Sequence, residues 1–173
     1  IQKKKISFVG SRSPNQYAKN LTYQLSNKLS QAGICIVSGG AIGIDTIAHQ
    51  AAGADNTIMV AGTGLDIRYP AINKKLIQDI ESKGLVVSQF KEKSPSTKLI
   101  VALGEILIVT YADVNSGTTR SIEFALKMKK RIFVLPHRIG ESDGTNKLLL
   151  EKKAEAIYDI DNFISIFSQD NSQ

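Results

Sequence analysis

Six short runs of branched apolar residues constrain this chain more than anything else in it: "ISFVG" (6–10), "ICIVS" (34–38), "TIMVA" (57–61), "LVVS" (85–88), "EILIVT" (105–110) and "RIFVLP" (131–136). They are near-continuous rather than alternating, as strands covered on both faces should be. Helix-like stretches fill the intervals. In the first, Leu21, Leu25, Leu29 and Ala32 recur at helical spacing, and Gly33 supplies a stop. "YPAINKKLIQDIESKG" sets Pro70 ahead of a second helix, with Ile72, Leu76, Ile77 and Ile80 along one side and Gly84 at its close. "SGTTRSIEFALKMKK" turns Ile122, Ala125 and Leu126 inward and gathers lysines at the negative end of the helix dipole. Repeated strand–helix–strand units demand right-handed crossovers. They predict an α/β fold, a doubly wound, mostly parallel sheet with helices on both faces.

A chain of 173 residues buries one full core and is short for two, so a single domain is expected over 1–167. The polar end "SQDNSQ" (168–173) reads as a frayed tail, and the lysine-rich "KEKSPSTK" (91–98) as a mobile loop. The single cysteine, Cys35, lies inside an apolar run and reads as an inert core thiol. No disulfide can form within such a chain, which favours a reducing compartment. The basic opening "IQKKKISFVG" has too short an apolar part for a signal peptide or a membrane span. A cytoplasmic protein without a membrane partner is the expectation. The net charge of +6 favours polyanionic partners, and where the cations fall decides what kind.

In a parallel sheet the loops that follow the strands collect on one edge. Here they are "GSRSP" (10–14), "SGGAIG" (38–43), "GTGLD" (62–66), "SQFKEKSPSTK" (88–98), "TYADVNSGTTR" (110–120) and "PHRIGESDGTNK" (136–147). That edge is where open α/β sheets bind ligands. Glycines let backbone amides approach an anion, and a strand-to-helix turn such as "SGGAIGID" adds the positive end of a helix dipole. Arg12, Lys98, Arg120, Arg138 and Lys147 supply charge along the same edge, and Phe90, Tyr111 and Tyr69 offer stacking surfaces. A row of cationic loops suits repeating phosphates, so nucleic acid fits this edge better than a mononucleotide does.

Other chemistries fit less well. "SGGAIG" follows the second run rather than the first, and the next strand ends in Gly62, Thr63 and Gly64 where a dinucleotide site needs an acid. No P-loop sequence occurs. His49 and His137 lack a Cys or carboxylate at metal-ligand spacing, and His49 reads as helix packing or a cap. Asp45, Asp66, Asp113 and Asp143 sit near helix starts, where carboxylates cap backbone N–H groups. No pair of them is arranged for acid and base work, so neither catalysis nor a cofactor is expected.

The ordered set "VGSRSPNQYA", "GICIVSGGAIGIDTIAH", "GTGLDIRYP", "SGTTRSIEFA" and "VLPHRIGESDGTN" resembles the DNA-processing protein A family, also called Smf or DprA, over residues 5 to 158. The resemblance implies an extended Rossmann-like domain that binds single-stranded DNA, forms homodimers and helps load the RecA recombinase in natural transformation. Carried over by position, the binding pocket falls on Ser11 and Arg12, on Gly39 and Gly40, on Thr63 and on Lys98, with Ser116, Gly117 and Asn146 at further motif positions. After "KSPSTK" the family usually has an aromatic residue and an Arg-Asn-Arg-like stretch that this sequence lacks. The join at "AHQAAGADNT" is similarly tight, and segments are expected to be missing near 53–56 and 98–100. The family's accessory helical and winged-helix-like domains are also absent from this sequence. Lysine-decarboxylase-like phosphoribohydrolases are a rival with a "GGxGTxxE" motif, but Ser121 stands where their catalytic Glu belongs, and Glu123 is about 200° further round a helix. A plain nucleotide-binding module is the third reading.

Overall fold

A computed structural model describes residues 3–89 and 96–169. The elements run β1 (Lys5–Val9), α1 (Gln16–Gln31), β2 (Cys35–Gly39), α2 (Ile44–Ala52), β3 (Thr57–Val60), α3 (Lys74–Lys83), β4 (Leu85–Val87), α4 (Thr97–Leu103), β5 (Ile106–Val109), α5 (Thr118–Lys127), β6 (Ile132–Val134), α6 (Asp143–Leu150), β7 (Glu155–Ala156) and α7 (Ile160–Ser168). All the strands pair in parallel, in the order β4-β3-β2-β1-β5-β6-β7. The α/β doubly wound sheet expected from the six apolar runs is thus present, with the Rossmann-like reversal of strand order falling between β1 and β5.

Alternate side chains of the inner strands feed two different cores. Val9, Val37, Val60, Leu107, Val109 and Val134 pack with Ile100 and Val101 of α4, Ile122 and Ala125 of α5, and Leu148 of α6. On the opposite face Phe8, Ile36, Ile108 and Phe133 pack with Leu25 and Leu29 of α1, Ala48 and Ala52 of α2, and Phe163 of α7. Met59, which points to this second face, receives Ile77 and Ile80 of α3. Being covered on both sides is what makes β1, β2, β3, β5 and β6 read as unbroken apolar runs, whereas β4, also expected to be covered on both faces, lies at the sheet edge with Leu85 exposed and Val86 and Val87 half-buried.

The helix limits have local causes. Asn15 caps α1 by accepting the Ala18 N–H at 2.9 Å, and Gly33 ends it at φ +83. Two residues expected to face inward do not. Ile72 is 81% exposed because it lies in a single 3-10 turn ahead of α3, out of phase with Ile77 and Ile80. Leu126 is 38% exposed because Thr118, Ser121, Ile122 and Ala125 make the buried stripe of α5, and Leu126 lies one residue past its edge. The apolar runs also do not announce β7 and α7, which close the sheet through Phe163 and Phe167 set edge-on and tilted around Phe133. The tight "AHQAAGADNT" join runs through Gly53 and one 3-10 turn, where the Asn56 side chain binds Ser30 and Ile34. Most of the lysine-rich stretch, and the end of the tail, lie outside the described residues.

Candidate nucleic-acid interface

At the reversal of strand order the loops after β1 and β5 leave side by side, held by the Ser11 N–H donating to the Tyr111 carbonyl at 2.9 Å. The start of α2 is tied to the same loop, since the Ile44 N–H donates to the Ser11 carbonyl at 3.2 Å. Gly43 makes this approach possible. A Cβ there would lie 2.5 Å from the Ser11 oxygen and 2.7 Å from the Arg12 Cα, and its φ of +86 suits only glycine. The result is an open cleft of about 580 Å³ lined by Arg12, Ser13, Lys19, Gly43, Thr46 and Ile47. Arg12 and Lys19 are both exposed, and neither makes an ion pair among the described residues. Two unpaired cations at a helix start form a surface that attracts phosphate.

The glycine turn beside this cleft is occupied by the protein itself. Gly39 is buried, and a Cβ on it would stand 2.6 Å from Asp45 Oδ2 and 3.2 Å from Ile100. Asp45 Oδ2 accepts the Ala41 N–H at 3.3 Å, and the Ser38 hydroxyl, which donates to the Phe8 carbonyl at 2.8 Å, lies beside the carboxylate. Burial pushes the Asp45 carboxyl up to about 6, against those contacts and the Arg12 charge. Of the four acids read as caps, Asp45 alone takes a backbone N–H among the described residues, and that N–H precedes the helix. His49 is fully buried, donating from Nε2 to the Gly39 carbonyl at 2.8 Å while Nδ1 faces the Thr57 hydroxyl at 2.5 Å. Burial lowers its pKa to about 4, so it is a neutral packing residue. Gly40 is more open, with its carbonyl accepting from Asn73 Nδ2 at 3.1 Å.

A second groove, of about 340 Å³, lies on the opposite face of the sheet between the starts of α4 and α5. Thr97, Lys98, Arg120, Glu123 and Phe124 line it, and Lys98 and Arg120 make no ion pair among the described residues. The carried-over residues therefore divide by role. Arg12 and Lys98 present charge in separate grooves. The Ser11 hydroxyl accepts the Ser13 N–H at 3.0 Å, and Thr63, 4% exposed, donates to the Ile67 carbonyl at 2.8 Å, so both shape their loops. Asn146 brackets His137, accepting its N–H and donating to its carbonyl, each at 3.0 Å. Ser116 and Gly117 stand at the start of α5, where the Ser116 hydroxyl has no hydrogen-bond partner among the described residues and Gly117 is exposed with open space around its Cα.

Two of the five cations read along the edge are engaged by neighbours: Arg138 with Glu141 at 3.5 Å and Lys147 with Glu151 at 3.9 Å. Among the aromatics, Tyr69 is 51% exposed, whereas Tyr111 and Tyr17 pack edge-on to the His137 ring at 5.4 and 5.1 Å. Phe90 lies outside the described residues. Lys19 and Thr46 are the residues that reading the loops alone overlooks. Each lies in the first turns of a helix that follows an edge loop, and that position is the available signal. No cluster of His, Cys, Asp and Glu that could hold a metal ion occurs among the described residues.

The family model for DNA recombination-mediator protein A matches residues 1–168. The chain is 36% identical over 159 residues to the DNA processing protein DprA of Streptococcus pneumoniae, covering 85% of this chain and 56% of that protein. It is 32% identical over 156 residues to protein Smf of Synechocystis, covering 83% of this chain and 39% of that protein. Among solved structures, DNA processing protein A from Helicobacter pylori, described for a unique single-stranded DNA binding mode, superposes with a TM-score of 0.92. It is 39% identical, over 96% of this chain and 81% of that one. The chain thus spans about half or less of the two sequence relatives' length.

Proposed function

The chain belongs to the DNA recombination-mediator protein A family, and from that premise we propose that the edge of its sheet binds single-stranded DNA during transformation and recombination. The observation that carries the reading is the pair of cationic grooves. Arg12 and Lys19 on one side of the sheet edge, and Lys98 and Arg120 on the other, make no direct ion pair among the described residues, the Arg12 charge reaching Asp45 only through space. Repeating phosphates need several such contacts at once, whereas a mononucleotide needs one. The single-stranded DNA binding mode described for the Helicobacter pylori relative supports the same ligand.

The reading extends to a homodimer that helps load the RecA recombinase, acting in the cytoplasm and without a catalytic step. Cys35 is buried, and among the described residues no helix is long and apolar enough to cross a membrane. Ser121 is buried at 4% exposure where a phosphoribohydrolase would carry its glutamate, and Glu123 lies in the Lys98 groove instead. That arrangement supports a binding protein over the hydrolase.

The test is fluorescence anisotropy of a labelled single-stranded oligonucleotide across salt, with duplex and a nucleoside monophosphate as competitors. Salt-sensitive binding that neither competitor displaces is expected. Displacement by the monophosphate would replace the DNA reading with a nucleotide module. Arg12→Ala should weaken binding at every sequence and flatten the salt dependence by about 0.7 in log–log slope, one phosphate's share for a single strand. An unchanged slope removes Arg12 from the phosphate path.

A further inference from the structure

The single-strand reading leaves one buried charge without a role, and the role inferred for that charge rests on the same reading. We propose that Asp45 is a built-in counter-anion of the site: its carboxylate holds the glycine turn where a strand phosphate would otherwise be drawn, and a phosphate arriving at Arg12 drives proton uptake by that carboxylate.

The geometry is specific to this residue. Asp45 is 8% exposed and lies against the bare Cα of Gly39, in space that a side chain on Gly39 would fill. The Ala41 N–H, an amide of the glycine turn, already points at Asp45 Oδ2 at 3.3 Å. The groups that surround the carboxylate come from several elements. Ser38 comes from β2, Ile100 from α4 and Arg12 from the loop after β1. On its own helix, Thr46 is uncharged, and His49 is held neutral by burial. Lys19 of α1 shares the cleft with Arg12, while Lys98, the cation of α4, faces the other groove. Gly43, two residues before Asp45, packs against the Arg12 backbone, so Arg12 is the cation whose charge acts on the buried Asp45 carboxylate through space and would meet an incoming phosphate.

Two anions near one cation in a partly buried setting repel, and the weaker acid gives way by taking a proton. In the free protein the Asp45 carboxyl titrates at about 6. A nearby phosphate raises that value, so the bound state holds more proton than the free state between the two. Affinity then climbs as pH falls from 8 towards 6 and levels off below. Asparagine keeps the shape without the charge. Asp45→Asn should bind about threefold to tenfold more tightly at pH 8, and its affinity should not vary with pH.

The experiment measures anisotropy of a labelled oligothymidylate without a terminal phosphate, at pH 6, 7 and 8 and constant ionic strength, for the wild type and Asp45→Asn. Thymine and phosphodiesters do not titrate in that range. Carbon-13 NMR of the Asp45 carboxyl in the wild type, with and without the oligonucleotide, supplies a readout that survives a variant that fails to fold. A pH-dependent wild type, a flat variant and a carboxyl titration moved upward by DNA are the expected results. Identical pH profiles in both proteins would assign the dependence elsewhere and overturn the proposal, as would a carboxyl titration that DNA leaves unmoved. A wild type that binds no oligothymidylate at any pH overturns the single-strand reading itself, and the proposal with it.

Discussion

At the scale of single residues, Asp45 and His49 act on stability in opposite directions within one window of pH. The Asp45 carboxyl titrates at about 6 in the folded protein, above its unfolded value, so the stability it contributes is full below about pH 4 and is lost as pH rises through 6. His49 titrates at about 4, below its unfolded value, so its contribution is full above about pH 6.5 and is lost as pH falls through 4. Each amounts to roughly 3 kcal/mol, and between pH 4 and 6 they nearly cancel. Asp45→Asn removes one of the pair. Urea unfolding from pH 7 to pH 4 should then reveal a loss on the order of 3 kcal/mol in the variant and little change in the wild type. Equal slopes in the two proteins would place the titrating carboxyl elsewhere. None of this is legible in the sequence, where Asp45 reads as a helix cap. A carboxylate's pKa depends on burial, and burial here comes from Gly39, Ile100 and Ser38, residues on other elements.

At the scale of elements, the first helix and the loop before it depend on different contacts. Asn15 caps α1 through the Ala18 N–H, while the Arg12 loop is held by Ile44 and the close approach of Gly43. Asn15→Ala should therefore cost about 1 kcal/mol, read as a lower urea midpoint with the same denaturant slope, and leave the salt dependence of the proposed DNA binding unchanged. A flattened salt dependence would mean that the cap also positions Arg12. Most helices and strands are legible in the sequence because burial on both sheet faces imposes an apolar run, and burial on one helix face imposes a stripe. Ile72 and Leu126 depart from that rule because a stripe continues only while the backbone stays in phase. The 3-10 turn before α3 and the rim of α5 both lie outside that phase. The two-residue β7 is too short to leave any periodic mark.

At the scale of the whole molecule, the fold sets two basic grooves on opposite faces of one sheet edge, and a strand that engages both must pass over the point between β1 and β5. Replacing Lys98 and Arg120 together by glutamine should lower the salt slope by about 1.4, two phosphates' worth, even though neither residue touches the Arg12 cleft. Replacing Arg138 and Lys147 together should leave it unchanged, because Glu141 and Glu151 already engage them. Reversed results would move the proposed DNA path from α4 and α5 to the loop after β6. The sheet, its crossovers, the edge that gathers the loops and the family could all be read from the amino-acid order, because each is written in local periodicity or in ordered motifs. Which cations remain unpaired, which glycine faces a carboxylate and which acid is buried emerged only with the folded chain. Those properties belong to pairs of residues far apart in sequence, and they arise when packing brings the pairs together.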